Sequence, residues 1–197
     1  LKAYAANLID QGEVALAVPI ATESRALFRA RENHYGIAEC LGTLGRLALL
    51  QGDLTQAHRF FHEVVTIATT FNLRPTQCGW QPLLGIVTLY NGDAPEARRL
   101  LNESLRLCLE LKNKFFLAEV CTYLAELALW GDEIEQAEHW LVQSLDHHAE
   151  PYRITIFQVT RLLVAARLAT AQQYLRAATL FGLADQVHSQ INYAIAG

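Results

Sequence analysis

A fixed 40-residue period constrains the fold of this chain more than any other feature of its sequence. An alanine returns at this interval from one end to the other: Ala17, Ala57, Ala97, Ala137 and Ala177. Twelve residues before each alanine stands a small residue: Ala5, Gly45, Gly85, Ala125 and Ala165. Self-similarity at a period of about 20 to 50 residues is typical of repeat arrays. The sequence therefore predicts a repeat protein without a single central core.

Between the two small positions of each copy lies a pair of residues that favours a turn. The pairs are Gly12-Glu13, Gly52-Asp53, Gly92-Asp93, Gly131-Asp132 and, in the last copy, Gln172-Gln173. Glycine ends a helix in the left-handed conformation, and a following aspartate accepts hydrogen bonds from the N–H groups that open the next helix. Small residues at facing positions let two helices approach closely. Each copy is therefore predicted to be an all-α hairpin.

These signals predict one domain over residues 1–197, made of five hairpins at about 1–32, 33–72, 73–112, 113–150 and 151–192. The second and fifth hairpins are expected to have helices at 37–51 and 54–71, and at 152–171 and 174–191. Pro19 is expected to kink or delay the second helix of the first hairpin, because proline lacks the N–H donor. Pro82 predicts a kinked or late-starting helix that ends at Tyr90-Asn91. The fourth hairpin, at about 115–148, is expected to carry one extra residue between Gly131 and Ala137.

The repeated positions also resemble a known family. A leucine and a small residue precede the turn, an alanine follows it, and a large apolar residue stands four positions later: Phe61, Leu101, Leu141 and Phe181. This pattern resembles the tetratricopeptide repeat over the whole chain. The period is longer than the roughly 34 residues usual in that family, its closing proline is absent, and its early tryptophan is replaced by Leu41, Gln81, Cys121 and Arg161. The resemblance implies a right-handed superhelical solenoid of about five antiparallel hairpins with longer helices.

Three segments further resemble the helical repeat region of large bacterial ATP-dependent transcriptional regulators of the LuxR and MalT type. They are Gly36-Ile37-Ala38-Glu39, Leu49-Leu50-Gln51-Gly52-Asp53 and Ala177-Ala178-Thr179-Leu180-Phe181-Gly182. This likeness implies a non-catalytic sensing module for signal transduction, which binds a protein, a peptide or a small inducer. ATPase or DNA-binding parts would then lie outside this chain. The alternative is a stand-alone scaffold for protein assembly, and an enzyme is the third hypothesis.

Composition narrows the classes of partner. The net charge of −4 and the pI near 6.0 argue against direct contact with nucleic acid, which usually needs concentrated Lys and Arg. Arginines interrupt the best apolar runs before they reach the ~18 residues of a membrane span; they are Arg46, Arg161 and Arg167. The four cysteines lack C-x-x-C spacing and are predicted to be buried thiols of a cytoplasmic protein.

Charged residues make up 18% of the chain, below the roughly 25% typical of soluble domains. Much apolar surface is therefore expected to be buried between hairpins or against a neighbour. The chain begins at Leu1 and contains no methionine, which indicates a piece of a larger protein. Ile191, Tyr193 and Ile195 suggest that the chain continues or docks on a missing neighbour. A homo-oligomer formed through the last helix is a further expectation, because solenoids need polar capping repeats to remain monomeric.

Candidate chemistry is sparse. His58 and His62 are four residues apart on one helix face and could begin a metal site, but no cysteine or acidic pair stands beside them in sequence. His147 and His148 fit a surface role at a helix end. The sequence has no phosphate-binding glycine loop, nucleophile elbow or HExxH motif. We therefore expect no catalytic residue, metal or cofactor.

The family resemblance places the first helix of each hairpin along an inner groove. It implies eight groove residues for a protein or peptide partner: Glu39, Thr43, Arg46, Tyr90, Glu119, Thr122, Glu126 and Trp130. Polar groups mixed with aromatic rings are typical of such binding surfaces. Arg46 and Glu126 are the strongest candidates, because a charge on an otherwise apolar helix needs a partner. The opposing hypothesis is that these residues pair with each other or pack between repeats.

Overall fold

The structure is a computed structural model that describes residues 14–147, and every regular element in this range is an α-helix. The seven helices are α1 (Val14–Arg29), α2 (His34–Leu50), α3 (Leu54–Thr70), α4 (Arg74–Tyr90), α5 (Ala94–Glu110), α6 (Lys114–Trp130) and α7 (Ile134–Asp146). The all-α prediction is confirmed. The predicted first turn and the fifth hairpin lie outside the described residues.

Helices of equal length generate the repeat period. Each of the five helices from α2 to α6 has 17 residues, and a turn of three residues follows each one. The first helices of successive hairpins begin at His34, Arg74 and Lys114, and the second helices begin at Leu54, Ala94 and Ile134. Two such helices with their two turns make one repeat, so the long period comes from the helices and not from long loops.

All six described turns share one hydrogen-bond pattern. The N–H of the last turn residue donates to the carbonyl five residues back, as in Asp53 to Ala48 at 2.9 Å and Leu73 to Ala68 at 2.7 Å. The residue just before it has positive φ in every turn: Glu32, Gly52, Asn72, Gly92, Lys112 and Asp132, at 50°, 76°, 51°, 92°, 52° and 55°. This is the Schellman motif that ends helices. The connections between hairpins therefore have the same design as the turns within them.

The fourth hairpin has no extra residue. Its left-handed residue is Asp132, whereas Gly131 has a φ of −93° and is the C-cap of α6. Helix α7 begins at Ile134, one full period after Ala94 at the start of α5, so the register is kept. The prediction of an insertion was wrong because it assigned the turn position to the glycine, although aspartate also enters the left-handed region more readily than most residues.

Three helix starts also differ from the predictions. Helix α4 begins at Arg74 without delay, because Pro75 falls in the first turn, where no N–H donor is needed. It continues through the buried Pro82 to Tyr90, where it was predicted to end. Helix α1 is already helical at Val14, the first described residue, and runs through Pro19, so Pro19 does not delay its start. The alternative, a kink at Pro19, stays a prediction. Helix α2 begins three residues earlier than predicted, because the Asn33 side chain caps it by accepting the Gly36 N–H at 2.8 Å.

The chain divides into two compact units, residues 1–107 and 108–197. In the first unit α2 packs against α1 and α3, α3 packs against α4, and α2 also touches α4. An alanine at Gly45 would place its Cβ 2.7 Å from the Phe61 ring, and one at Gly85 would place it 2.9 Å from Leu101. The predicted role of small residues in close helix packing is therefore confirmed at these positions.

In the second unit α6 packs against α7. Their shared core contains four buried apolar residues: Ala125, Ala128, Ala137 and Leu141. Two of these are the small residue and the alanine of the sequence repeat. The repeat positions thus mark the helix contact in this unit as they do in the first. The five-hairpin domain itself stays a prediction, because the structure describes only part of the chain.

Gly52 offers a test of the turn geometry. An alanine there would have no atom within 4 Å of its Cβ, so the positive φ is the main source of strain. We expect Gly52→Ala to lower the free energy of unfolding in urea by about 1 kcal/mol. Glu32→Gly makes the reverse change at the equivalent turn position and is expected to leave stability unchanged or slightly raised. An equal loss in both variants would contradict this assignment.

Candidate partner-binding surface

Helix α2 carries a row of five residues that we call the α2 stripe: Tyr35, Glu39, Thr43, Arg46 and Leu50. Their intervals of three and four residues place them on one face of the helix. Tyr35 and Leu50, at the two ends, are 52% and 42% exposed. Glu39 and Arg46 are half-buried. The stripe thus combines an aromatic ring, an aliphatic side chain and two opposite charges.

Trp80 of α4 fixes the middle of the α2 stripe. Its indole N–H donates to Glu39 Oε1 at 3.0 Å, and its ring stacks on Phe61 with centroids 6.2 Å apart. The ring lies over Gly42, where an alanine Cβ would come within 2.4 Å of it. A glycine in α2 therefore makes room for a tryptophan from the next hairpin, and that tryptophan holds the Glu39 carboxylate in place.

The other predicted groove residues of the first unit differ in accessibility. Thr43 is buried, and its hydroxyl donates to the Glu39 carbonyl at 2.9 Å. Tyr90 is the last residue of α4 and is 37% exposed, whereas the nine residues before it, 81–89, are all buried. Glu39, Arg46 and Tyr90 therefore offer surface to a partner, and Thr43 offers very little.

In the second unit three of the four predicted groove residues are buried. Glu119 is 3% exposed and accepts a hydrogen bond from the Tyr123 hydroxyl at 3.4 Å. Thr122 lies 2.7 Å from the Ser144 hydroxyl, and both hydroxyls are close to the Ala118 carbonyl. Glu126 is 7% exposed. Partner contact by these side chains stays a prediction, and it would require a rearrangement of α6.

The fourth predicted groove residue of the second unit, Trp130, has a side chain that is 52% exposed. It is the last residue of α6 and is equivalent to Tyr90 of α4 and Leu50 of α2. A large exposed apolar side chain therefore ends each described first helix. Leu50 was not among the residues predicted from the sequence, although the repeat spacing links it to the two aromatic residues. Trp80 was not predicted either, and the absent side chain at Gly42 was the signal that could have indicated it.

The remaining candidates add no chemical site. His58 and His62 stack with centroids 6.2 Å apart, and no group of three or more metal-ligating side chains occurs among residues 14–147. The four cysteines are buried free thiols, as predicted: Cys40, Cys78, Cys108 and Cys121. None of the helices in the described range has the length and apolar character that a membrane crossing requires.

Comparisons with known proteins agree with this geometry. The tetratricopeptide repeat family model matches residues 1–70. The crystal structure of BtubC from P. vanneervenii aligns with a TM-score of 0.69 and 17% identity, covering 95% of this chain and 78% of that one. The fold is a tetratricopeptide-like helical repeat solenoid. A kinesin light chain protein from Podosopora anserina, with nearly identical TPR-like repeats, aligns with a TM-score of 0.65 and 20% identity, covering 96% and 93% of the two chains.

At these identities the two comparison structures share the fold of this chain, and a shared fold by itself does not indicate a shared function. No curated protein sequence matches the chain at a significant level. The likeness to LuxR and MalT regulators is not supported by these comparisons and stays a prediction from the sequence.

Proposed function

We propose that this tetratricopeptide-like array is a non-catalytic scaffold that binds a protein or peptide partner through the α2 stripe and Tyr90. The observation that carries the proposal is the set of accessible side chains along α2, with Trp80 docked beside them. Aromatic and arginine residues are enriched at protein interfaces, where a few of them supply most of the binding energy. The stripe has this composition.

The environment of Glu39 supports the same proposal. Its carboxylate accepts the Trp80 indole N–H and is half-buried, so the side chain is already ordered before a partner arrives. Ordering side chains costs about 0.5–1.5 kcal/mol for each one at an interface, and a preformed surface avoids part of that cost. Glu39 and Arg46 lie seven residues apart, about two helical turns. Opposite charges at that spacing favour one orientation of a polar partner.

A finer proposal places the array in a bacterial transcriptional regulator, where it senses a protein, a peptide or a small inducer. The segments 36–39 and 49–53 support it through their resemblance to regulators of that type. The sequence of the surrounding reading frame tests this context directly. A nucleotide-binding loop on one side and a helix-turn-helix on the other would support the regulator, and their absence would leave the stand-alone scaffold.

Charge reversal at Arg46 tests the surface. We expect Arg46→Glu to reduce capture of at least one partner about tenfold or more, because losing one member of a buried interfacial charge pair costs roughly 2–5 kcal/mol. Capture from an extract of the source cells, quantified by isotope-labelled mass spectrometry, measures the change. Arg106→Glu is the matched control on the exposed surface of α5 and is expected to retain every partner. Identical capture by both variants and the wild-type chain would contradict the proposal.

A further inference from the structure

A cleft of about 250 Å³ lies between α1 and α3. None of its lining residues belongs to the α2 stripe. Its α1 wall carries Val18, Thr22 and Arg25, whose spacing of four and three residues places them on one helix face. The buried Leu44 and Leu47 of α2 line the cleft, and Phe60 lines it from α3. We call this the α1–α3 cleft. It combines an aliphatic and aromatic lining with one guanidinium, that of Arg25, and one carboxylate, that of Asp53.

A second cleft, of about 350 Å³, occupies the same place one repeat later, between α3 and α5. Leu84 and Leu100 line it, one full period after Leu44 and Phe60. Arg99 also lines it and binds Glu96 through two bonds, Nη2 to Oε1 at 2.7 Å and Nε to Oε2 at 2.8 Å. The hydrogen bond from Arg99 lowers the pKa of the Glu96 carboxyl. This guanidinium belongs to α5, and the position of Arg25 is occupied here by Val65, which also lines the cleft.

The first cleft has no acidic residue at the position of Glu96. The residue equivalent to Glu96 is Gln56, a neutral amide. Arg25 is half-buried and forms no ion pair with any residue in the range that the structure describes. Asp53, which also lines the cleft, accepts the Gln56 N–H at 2.9 Å as the N-cap of α3. Among residues 14–147, Arg25 therefore makes no ion pair, and the carboxylate that lines the same cleft, Asp53, is engaged as a helix cap.

The neighbouring arginine of α1 does have an acidic partner. Arg29, one helical turn further along α1, reaches Glu63 of α3 at 3.6 Å. That exposed ion pair spans the two helices beside the cleft, so the two walls are close enough for an arginine on one to meet an acid on the other. At the level of Arg25 the opposite wall instead presents Gln56 and Phe60.

We propose that the α1–α3 cleft binds a peptide in which an aliphatic side chain stands next to an aspartate or glutamate. The aliphatic side chain packs between Leu44, Leu47 and Phe60, and the carboxylate accepts two hydrogen bonds from Arg25, in the geometry that a guanidinium favours. A volume of 250 Å³ lies below the ~300–1,000 Å³ typical of small-molecule sites, so the cleft fits one or two side chains of a longer ligand.

Two synthetic peptides test this proposal on the whole chain: acetyl-Gly-Leu-Glu-Gly-amide and its matched glutamine counterpart, acetyl-Gly-Leu-Gln-Gly-amide. Each is titrated into the ¹⁵N-labelled protein and followed by two-dimensional NMR. We expect the glutamate peptide to bind about tenfold more tightly, because hydrogen bonds to charged groups are worth more than those between neutral ones. The largest shifts are expected at Leu47, Gln56 and the Arg25 side chain. Equal binding of the two peptides, or shifts confined to other helices, would overturn the proposal.

Variants locate the charge that discriminates the two peptides. Arg25→Ala is expected to abolish the preference for glutamate, and Arg25→Lys to keep part of it, because lysine retains the charge without the two-pronged geometry. Arg106→Ala should behave as the wild-type chain. Arg46→Glu, which tests the α2 stripe, should also leave the titration unchanged, so this site and the scaffold function can fail separately. A glutamate preference that survives in Arg25→Ala would exclude the proposed contact.

Discussion

Replacing Phe61 with alanine is expected to lower the free energy of unfolding by about 3–5 kcal/mol, the usual cost of truncating a buried phenylalanine. The Phe61 side chain is fully buried, stacks on Trp80 and packs against Gly45. Its ring thus joins α3 to both α2 and α4, and its loss would leave a cavity among three helices. Urea unfolding followed by circular dichroism measures the change.

Phe71→Ala is the matched control at the C-terminal end of the same helix. Its ring is 45% exposed and stacks on His34 with centroids 3.6 Å apart. Removing it deletes one ring contact and little buried area, so we expect a loss of about 1 kcal/mol. Equal losses for the two variants would contradict the assignment of Phe61 as the ring that joins the three helices.

Gly42→Ala is expected to cost about 1–3 kcal/mol, the range for overpacking a core. The added Cβ would come within 2.4 Å of the Trp80 ring, so the indole would have to move. Because its N–H donates to Glu39, that movement would also release the carboxylate in the middle of the α2 stripe. The variant should therefore weaken partner capture as well as stability.

A double-mutant cycle isolates this contact. In a Trp80→Ala background the Gly42→Ala change is expected to cost almost nothing, because the ring that the Cβ meets is absent. Contacting residues couple by about 0.5–3 kcal/mol in such cycles, whereas distant ones add independently. An unchanged cost of Gly42→Ala in both backgrounds would mean that the strain has another source.

The architecture could be predicted from the sequence because the same residue types recur at equivalent structural positions in each repeat. Gly45 and Gly85 recur where two helices approach closely, and Asp53 and Asp93 recur where a helix must be capped; both caps form. Errors arose where one residue type substitutes for another in the same geometry. Asp132 adopts the left-handed conformation usually assigned to glycine, and Pro82 stays inside a helix whose residues 81–89 are all buried.

The accessible surface was harder to predict, because exposure depends on neighbours that lie far away in sequence. Helix α6 shows the difficulty. Residues 117–128 are all buried, so the acidic side chains of Glu119 and Glu126 are hidden from solvent. A helix with polar residues on one side usually exposes that side, and here that expectation does not hold. On α2, Glu39 and Arg46 remain half-buried. Glutamates on α2 and α6 stand among similar apolar residues, so the residue pattern did not indicate that their exposure would differ.

Because the turns share one geometry, this array is modular in units of whole repeats. Left-handed residues recur at even spacing, at positions 32, 52, 72, 92, 112 and 132, whether the turn joins helices of one hairpin or of two. The backbone therefore has no mark that distinguishes a hairpin from the connection to the next. Duplication or deletion of one whole repeat, cut at any of these turns, would keep every side chain in its layer. A change of half a repeat would exchange the roles of first and second helices, so gene rearrangements in this region should be tolerated in steps of whole repeats.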